Sequence, residues 1–153
     1  MSDVGLILSD SPKPTDCRVR GATGTDLDFV CSTWATSYSR AARTAFRCMP
    51  RKAFDKMIWA RIERLLDRSI TLVLFEPALP AYIHAWACFE DDRLHYCYTR
   101  PIYRKYGRLS MMISGLRRPI RCTHWTESIE NIEAEQPGTF TYAPSLLKEE
   151  QAT

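Results

Sequence analysis

The sequence predicts a single α/β (α+β) domain on one mixed central sheet, with the element order β-α-α-β-β-β-α-β-α-β. Three observations carry that prediction. A strongly amphipathic run, "RKAFDKMIWARIERLLDR", leads straight into the β-rich run "SITLVLFEP". Two alternating runs follow, separated only by "EDDR", as in an antiparallel hairpin. After them a strand-like run meets a basic turn and an apolar helix-like run, then another strand: a β-α-β crossover. The 153 residues, 45% of them apolar, suit one domain with a real core.

Taken in order, residues 1–16 read as an extended lead-in, because Pro12 and Pro14 interrupt any periodic pattern. The domain proper is expected over 17–145, with a polar tail over 146–153. "CRVRGAT" alternates and stops at Gly21, as a first strand does. Thr25, three residues before Asp28, resembles a capping box, and Leu27, Val30, Trp34 and Tyr38 then form one helical stripe. Pro50 suits the first turn of the second helix, whose apolar face is Phe54, Met57, Ile58, Ile62, Leu65 and Leu66. "AYIHAWACF" and "RLHYCYTR" are the hairpin strands. A third helix is expected over Ser110–Leu116, and "RRPIRCTHWT" reads as the next strand. "ESIENIEAEQPG" is a short acidic helix stopped by Pro137 and Gly138, and "TFTYAP" is the last strand.

Composition removes several functional classes. No run approaches the roughly 18–20 apolar residues of a membrane helix, and the N-terminus lacks a basic n-region, so a cytoplasmic location is expected. The six cysteines are widely spaced, without a Cys-x-x-Cys pair, and read as small buried hydrophobes, not as metal ligands. His84, His95 and His124 are scattered, so no metal site is expected. The charge is uneven. The chain carries a net +3, yet Arg93–Thr126 holds eight Lys/Arg and no Asp or Glu, leaving −5 for the rest. That asymmetry points to an anionic partner for the segment.

The basic turn is the chemical focus. Arg104, Lys105, Gly107 and Arg108 stand where a strand hands over to a helix, so backbone amides, a glycine and three cations are brought to one point, as a phosphate requires. A solvated turn gives the same residues without a ligand. With its two helices after the first strand and its three-strand meander, the chain resembles the GNAT superfamily of acyl-CoA-dependent N-acetyltransferases. Within "YTRPIYRKYGRLSMMI" the strand end, Pro101, Tyr103, Arg104 and Gly107 resemble that family's Arg/Gln-x-x-Gly-x-Gly/Ala pyrophosphate loop. The last motif position is Leu109, where a larger side chain is expected to crowd the phosphate or shift the loop. The ending "THWT…Y.P" also resembles acetyltransferase-like proteins encoded by tailed bacteriophages.

The resemblance implies acetyl-CoA as acyl donor and an amine on a small molecule or protein as acceptor. It implies that the backbone of Cys97, Tyr98 and Thr99 pairs with the pantetheine arm. The amides of Arg104, Lys105, Tyr106, Gly107, Arg108, Leu109 and Ser110 would hold the pyrophosphate, and Arg117, Arg118 or Arg121 would reach the 3′-phosphate. It further implies a base and an acid: His95 is the first candidate base, with His84 and Glu90 as alternatives, and Tyr142 or His124 is the candidate acid. Two other functions compete with catalysis. One is a GNAT-like protein that has lost catalysis and binds a protein partner, with a homodimer through the C-terminal strand edges as a further expectation. The other is nucleic-acid binding by 93–126, where Tyr96, Tyr98, Tyr103 and Tyr106 interleave with the arginines.

Overall fold

The computed structural model describes residues 17–42, 49–91, 93–104 and 107–143. The lead-in, the tail, Cys48, Lys105 and Tyr106 lie outside the described residues. The observed order is β1 (Arg18–Gly21), α1 (Gly24–Ala42), α2 (Arg51–Arg68), β2 (Ile70–Glu76), β3 (Leu79–Glu90), β4 (Arg93–Thr99), a 3-10 turn (Pro101–Tyr103), α3 (Arg108–Ile113), β5 (Ile120–Cys122), α4 (Glu127–Glu135) and β6 (Phe140–Tyr142). This is the expected order. The six strands lie side by side in sequence order. β1 to β4 are antiparallel neighbours, while β4–β5 and β5–β6 are parallel, each joined through a helix.

Two cores form, one on each face of the sheet. Val30 and Trp34 of α1 and Phe54, Ile58, Ile62 and Leu65 of α2 pack on Val73, Ile83, Trp86 and Tyr96. Leu109, Met112 and Ile113 of α3 and Ile129 of α4 pack on Leu74, Ala85, Leu94, Ile120 and Cys122. The result is three layers, helices over sheet over helices. Among the described residues, no helix is long and apolar enough to cross a membrane.

The structure corrects several sequence expectations. The first helix is capped two residues earlier than the Thr25–Asp28 spacing suggested. The Asp26 carboxylate accepts from the Thr23 backbone N–H at 2.8 Å and from the Thr23 hydroxyl at 3.0 Å. Arg20 of β1 grips the same carboxylate with both Nη atoms, at 3.1 Å for the Nη2–Oδ1 contact. Leu27 is exposed and does not join the buried stripe. The third helix begins at Arg108, not Ser110, and ends at Ile113. Of "RRPIRCTHWT" only Ile120–Cys122 is strand, because Thr123 and His124 turn away to bond back to β4.

The Arg20–Asp26 pair makes a testable contribution. The Arg20 hydrogen bond, opposed by burial and reinforced by Thr23, pulls the Asp26 carboxyl from 3.8 down to about 2. A carboxyl depressed in the folded state stabilises it above its unfolded value. That stability is lost as the pH falls from about 4 towards 2, and amounts to about 2 kcal/mol. Urea unfolding across this range is expected to show the loss in the parent protein and a flatter acid limb in Asp26→Asn.

Candidate functional site

β4 carries a bulge, and the site grows out of it. Opposite β3, Tyr96 faces Cys88 while Leu94 faces Phe89, so His95 is an extra residue on β4. The side-chain alternation therefore changes phase there. Leu94 joins the α3/α4 core, Tyr96 joins the α1/α2 core, and Cys97 returns to the α3/α4 core. β5 pairs with β4 only before the bulge, at Arg93↔Arg121 and Leu94↔Cys122, followed by one bond from Thr123 N–H to Leu94 O at 3.1 Å. From Tyr96 to Thr99 no strand pairs with β4 on its β5 side among the described residues. The two strands diverge into a wedge with an open edge along β4.

The wedge leads to a hollow of ≈ 80 Å³ at its wide end. One wall is Thr99, Tyr103, Arg104, Gly107, Arg108, Leu109 and Ser110; the other is Ser128, Asn131, Ile132 and Glu135 of α4. This second wall is absent from the sequence-based expectations. Its signal was present, because these four positions follow the i, i+3, i+4, i+7 spacing of one helix face. Gly107 adopts φ 74°, ψ 13°, the left-handed conformation, and its carbonyl accepts from Met111 N–H at 3.0 Å to start α3. Arg104 Nε donates to the Thr99 carbonyl at 3.1 Å, which holds its guanidinium at the mouth of the hollow.

Arg108 is not a solvated turn cation. It is 1% exposed, with its guanidinium 4.7 Å over the Tyr103 ring, and that ring in turn stacks on His84 at 4.0 Å. Burial, then Arg108 and Arg100, push the His84 pKa down to about 4, so no imidazolium competes with the neighbouring cations at neutral pH. Leu109 is 4% exposed and sits in the α3/α4 core as well as bordering the hollow. α3 has only six residues, so its dipole is weak, and the cationic side chains lining the hollow are Arg104 and Arg108.

The other expected site residues lie as follows. Cys97 is buried beside Thr126, 3.6 Å from its hydroxyl, and burial pushes its thiol up to about 12, so it is an inert thiol. Tyr98 faces the α1 side, edge-on to Phe29, while Thr99 faces the hollow. His95 is fully buried, with Nε2 3.2 Å from Glu90 Oε2 and Nδ1 3.3 Å from Thr123 Oγ1. Burial raises the Glu90 pKa, but His95, Arg68 and Arg93 outweigh it and hold the carboxyl below its usual range. Tyr142 is 54% exposed on β6, two strands away from β4, against Trp125. The two named proton-transfer candidates therefore do not meet in one open site. Tyr96 stacks inside against Trp34, and Tyr103 stacks on His84, so both rings that the sequence offered for base stacking are engaged within the fold. No group of three metal-ligating side chains occurs among the described residues.

No protein-family model matches the sequence, and no curated protein matches it. Solved structures do resemble it loosely. One is described as a possible acetyltransferase from Clostridium difficile 630, at 14% identity and a TM-score of 0.40, covering 82% of this chain and 76% of the other. Another is a predicted acetyltransferase with acetyl-CoA from Clostridium acetobutylicum, at 13% identity and a TM-score of 0.41, covering 83% of this chain and 80% of the other. At those scores the superposition is loose, and the fold assignment stands on the strand order and register of this chain: among the described residues, a mixed six-stranded sheet with four α-helices.

Proposed function

We propose that the protein binds acetyl-CoA and transfers its acyl group to an amine. The observation that carries this is the wedge: an open β4 edge running from Tyr96 to Thr99 and ending at a hollow with Arg104, Arg108 and the left-handed Gly107. An extended amide-bearing arm can complete an unpaired strand edge, and a pyrophosphate suits a pocket with two arginines and local backbone amides. The strand edge and the hollow follow one another along β4 in the order in which the donor would present its amide arm and its pyrophosphate. In this reading Cys97 to Thr99 hold the pantetheine arm, and the loop amides with Arg104 and Arg108 hold the phosphates. The bound thioester supplies the activated acyl carbon. Glu135, the one carboxylate among the lining residues, sits on the opposite wall and favours positively charged groups on that side.

The test is thermal unfolding with acetyl-CoA and with CoA, up to about a millimolar. Binding to the folded state alone is expected to add about 2.7 kcal/mol at a hundredfold excess over the dissociation constant. Both ligands are expected to raise the midpoint, and no shift with either removes the donor from the proposal. A second reading, a non-catalytic binder of the same fold, is favoured by one observation: His95 and Tyr142 do not converge. It predicts that neither acetyl-CoA nor CoA shifts the midpoint and that a protein partner co-purifies with the chain.

A further inference from the structure

A hydrogen-bonded chain runs across the apex of the wedge. It starts at Glu90 in the β3–β4 hairpin and passes to His95 Nε2 at 3.2 Å. From His95 Nδ1 it continues to Thr123 Oγ1 at 3.3 Å, and from there to His124 Nδ1 at 3.0 Å. His124 Nδ1 also lies 2.7 Å from the His95 carbonyl oxygen. A carbonyl can only accept, so at that distance Nδ1 must carry the proton. The ring is thereby fixed as the Nδ1–H tautomer, and its Nε2 holds a bare lone pair. That Nε2 is buried and has no hydrogen-bond partner among the described residues.

Its position is as informative as its tautomer. His124 follows directly on β5, and the carbonyl it binds belongs to the bulge residue of β4. The open edge of β4 begins at the next residue. The ring therefore marks the point where the two strands part, on the side of α1 and α2, edge-on to Tyr38 and Tyr96. The hollow with Arg104 and Arg108 opens on the other side, against α3 and α4. A thioester lying along β4 from the hollow would bring its acyl end to this apex. A void of ≈ 10 Å³ lies against the ring, walled by Trp34, Tyr38, Arg61 and Ile62 among others, about the room for one water.

We propose that His124 is the proton acceptor of the acyl transfer, poised by the His95 carbonyl and Thr123 in the tautomer that leaves Nε2 bare. This assignment rests on the acyl-CoA reading above. In the step, the amine nitrogen bonds to the acyl carbon and becomes far more acidic. Nε2 takes its proton, the C–S bond breaks, and the imidazolium returns the proton to the departing thiolate. Atoms and charge balance with no other reagent. Burial pushes the His124 pKa down to about 4; the hydrogen bond to the His95 carbonyl raises it, while Arg61 and the His95 ring lower it. The charged or titratable groups around the ring are Arg61 on α2, Tyr38 on α1, and Tyr96 and His95 on β4. At neutral pH the ring is the free base, which is the form the step needs.

The experiment compares the parent protein with His124→Gln by two readouts: stabilisation by acetyl-CoA, and CoA thiol released from acetyl-CoA with water or with a set of short primary amines. The expected result is unchanged stabilisation and a release rate lower by about a hundredfold or more. Retained binding with an unchanged rate overturns the role of His124 and leaves the acyl-CoA reading standing. Binding by the parent protein with no release above the buffer rate also overturns it. No stabilisation of the parent protein overturns the acyl-CoA reading, and this assignment with it. A readout that needs neither variant nor turnover is the nitrogen-15 spectrum of the histidine rings at pH 7. It is expected to show His124 protonated at Nδ1 and bare at Nε2; the opposite tautomer overturns the proposal.

Discussion

Trp86→Ala is expected to lower the unfolding free energy by about 3–5 kcal/mol. Trp86 is 0% exposed at the middle of β3, where it packs against Trp34 of α1 at 5.3 Å and Tyr96 at 5.9 Å. Its indole N–H donates to Thr33 Oγ1 at 2.8 Å, so one side chain ties α1 to the sheet by packing and by a hydrogen bond. Removing the ring leaves a cavity between helix and sheet that rigid neighbours cannot refill. In a domain with a total stability of about 5–15 kcal/mol, that loss is a large fraction. Trp86→Phe is expected to cost less, because a phenyl ring refills most of the cavity; in both variants Thr33 keeps its bond to the Phe29 carbonyl at 2.7 Å. Urea titrations give both values. Equal costs for the two substitutions would show that the tether, not the ring volume, carries the effect.

Gly107→Val is expected to abolish stabilisation by acetyl-CoA while costing only a modest part of the fold's own stability. Among the described residues other than its chain neighbours, nothing lies within 4 Å of a Cβ placed at Gly107, so the first side-chain carbon meets no clash. Its penalty is in the backbone. A side chain at φ 74° costs roughly 1–2 kcal/mol, more for a β-branched residue, and the chain relieves it by leaving the left-handed region. That rotation moves the amides that follow and the start of α3. Asparagine tolerates this conformation, so Gly107→Asn is expected to retain most of the ligand effect. Thermal unfolding with and without acetyl-CoA separates the two contributions. Full stabilisation of Gly107→Val by the ligand would remove the loop from the binding site.

Element order was legible in the sequence because each element has its own period and its own stop. α2 is the clearest case: Phe54, Ile58, Ile62 and Leu65 are all buried, as the spacing predicts. Placement of the site was legible only in part. The turn at Gly107 stood out by its charge and its position between strand and helix. The bulge at His95 did not, because one extra residue in "RLHYCYT" leaves no mark on an alternating pattern of aromatics and small residues. Without it, the faces of His95, Tyr96 and Cys97 cannot be assigned. Arg108 misled for a different reason: a charged residue reads as exposed unless a partner ring is known, and Tyr103 becomes its partner only once the 3-10 turn folds back. The helix cap shifted from Thr25 to Thr23 because Arg20, on another element, selects Asp26 as the carboxylate to hold.

The unequal lengths of the strands have a mechanical consequence. β2, β3 and β4 have 7, 12 and 7 residues, whereas β5 and β6 have three each and join the rest through two register pairs beside Leu94. The sheet is thus a broad anvil with a light flap, tied down chiefly by the α3/α4 core that it shares with Leu74, Ala85 and Leu94, and the flap is expected to exchange its amides before the anvil does. Anything lodged along the bare β4 edge would contact both parts at once and act as a clasp. A ligand seated there is then expected to slow amide exchange in β5 and β6 more than in β2 and β3.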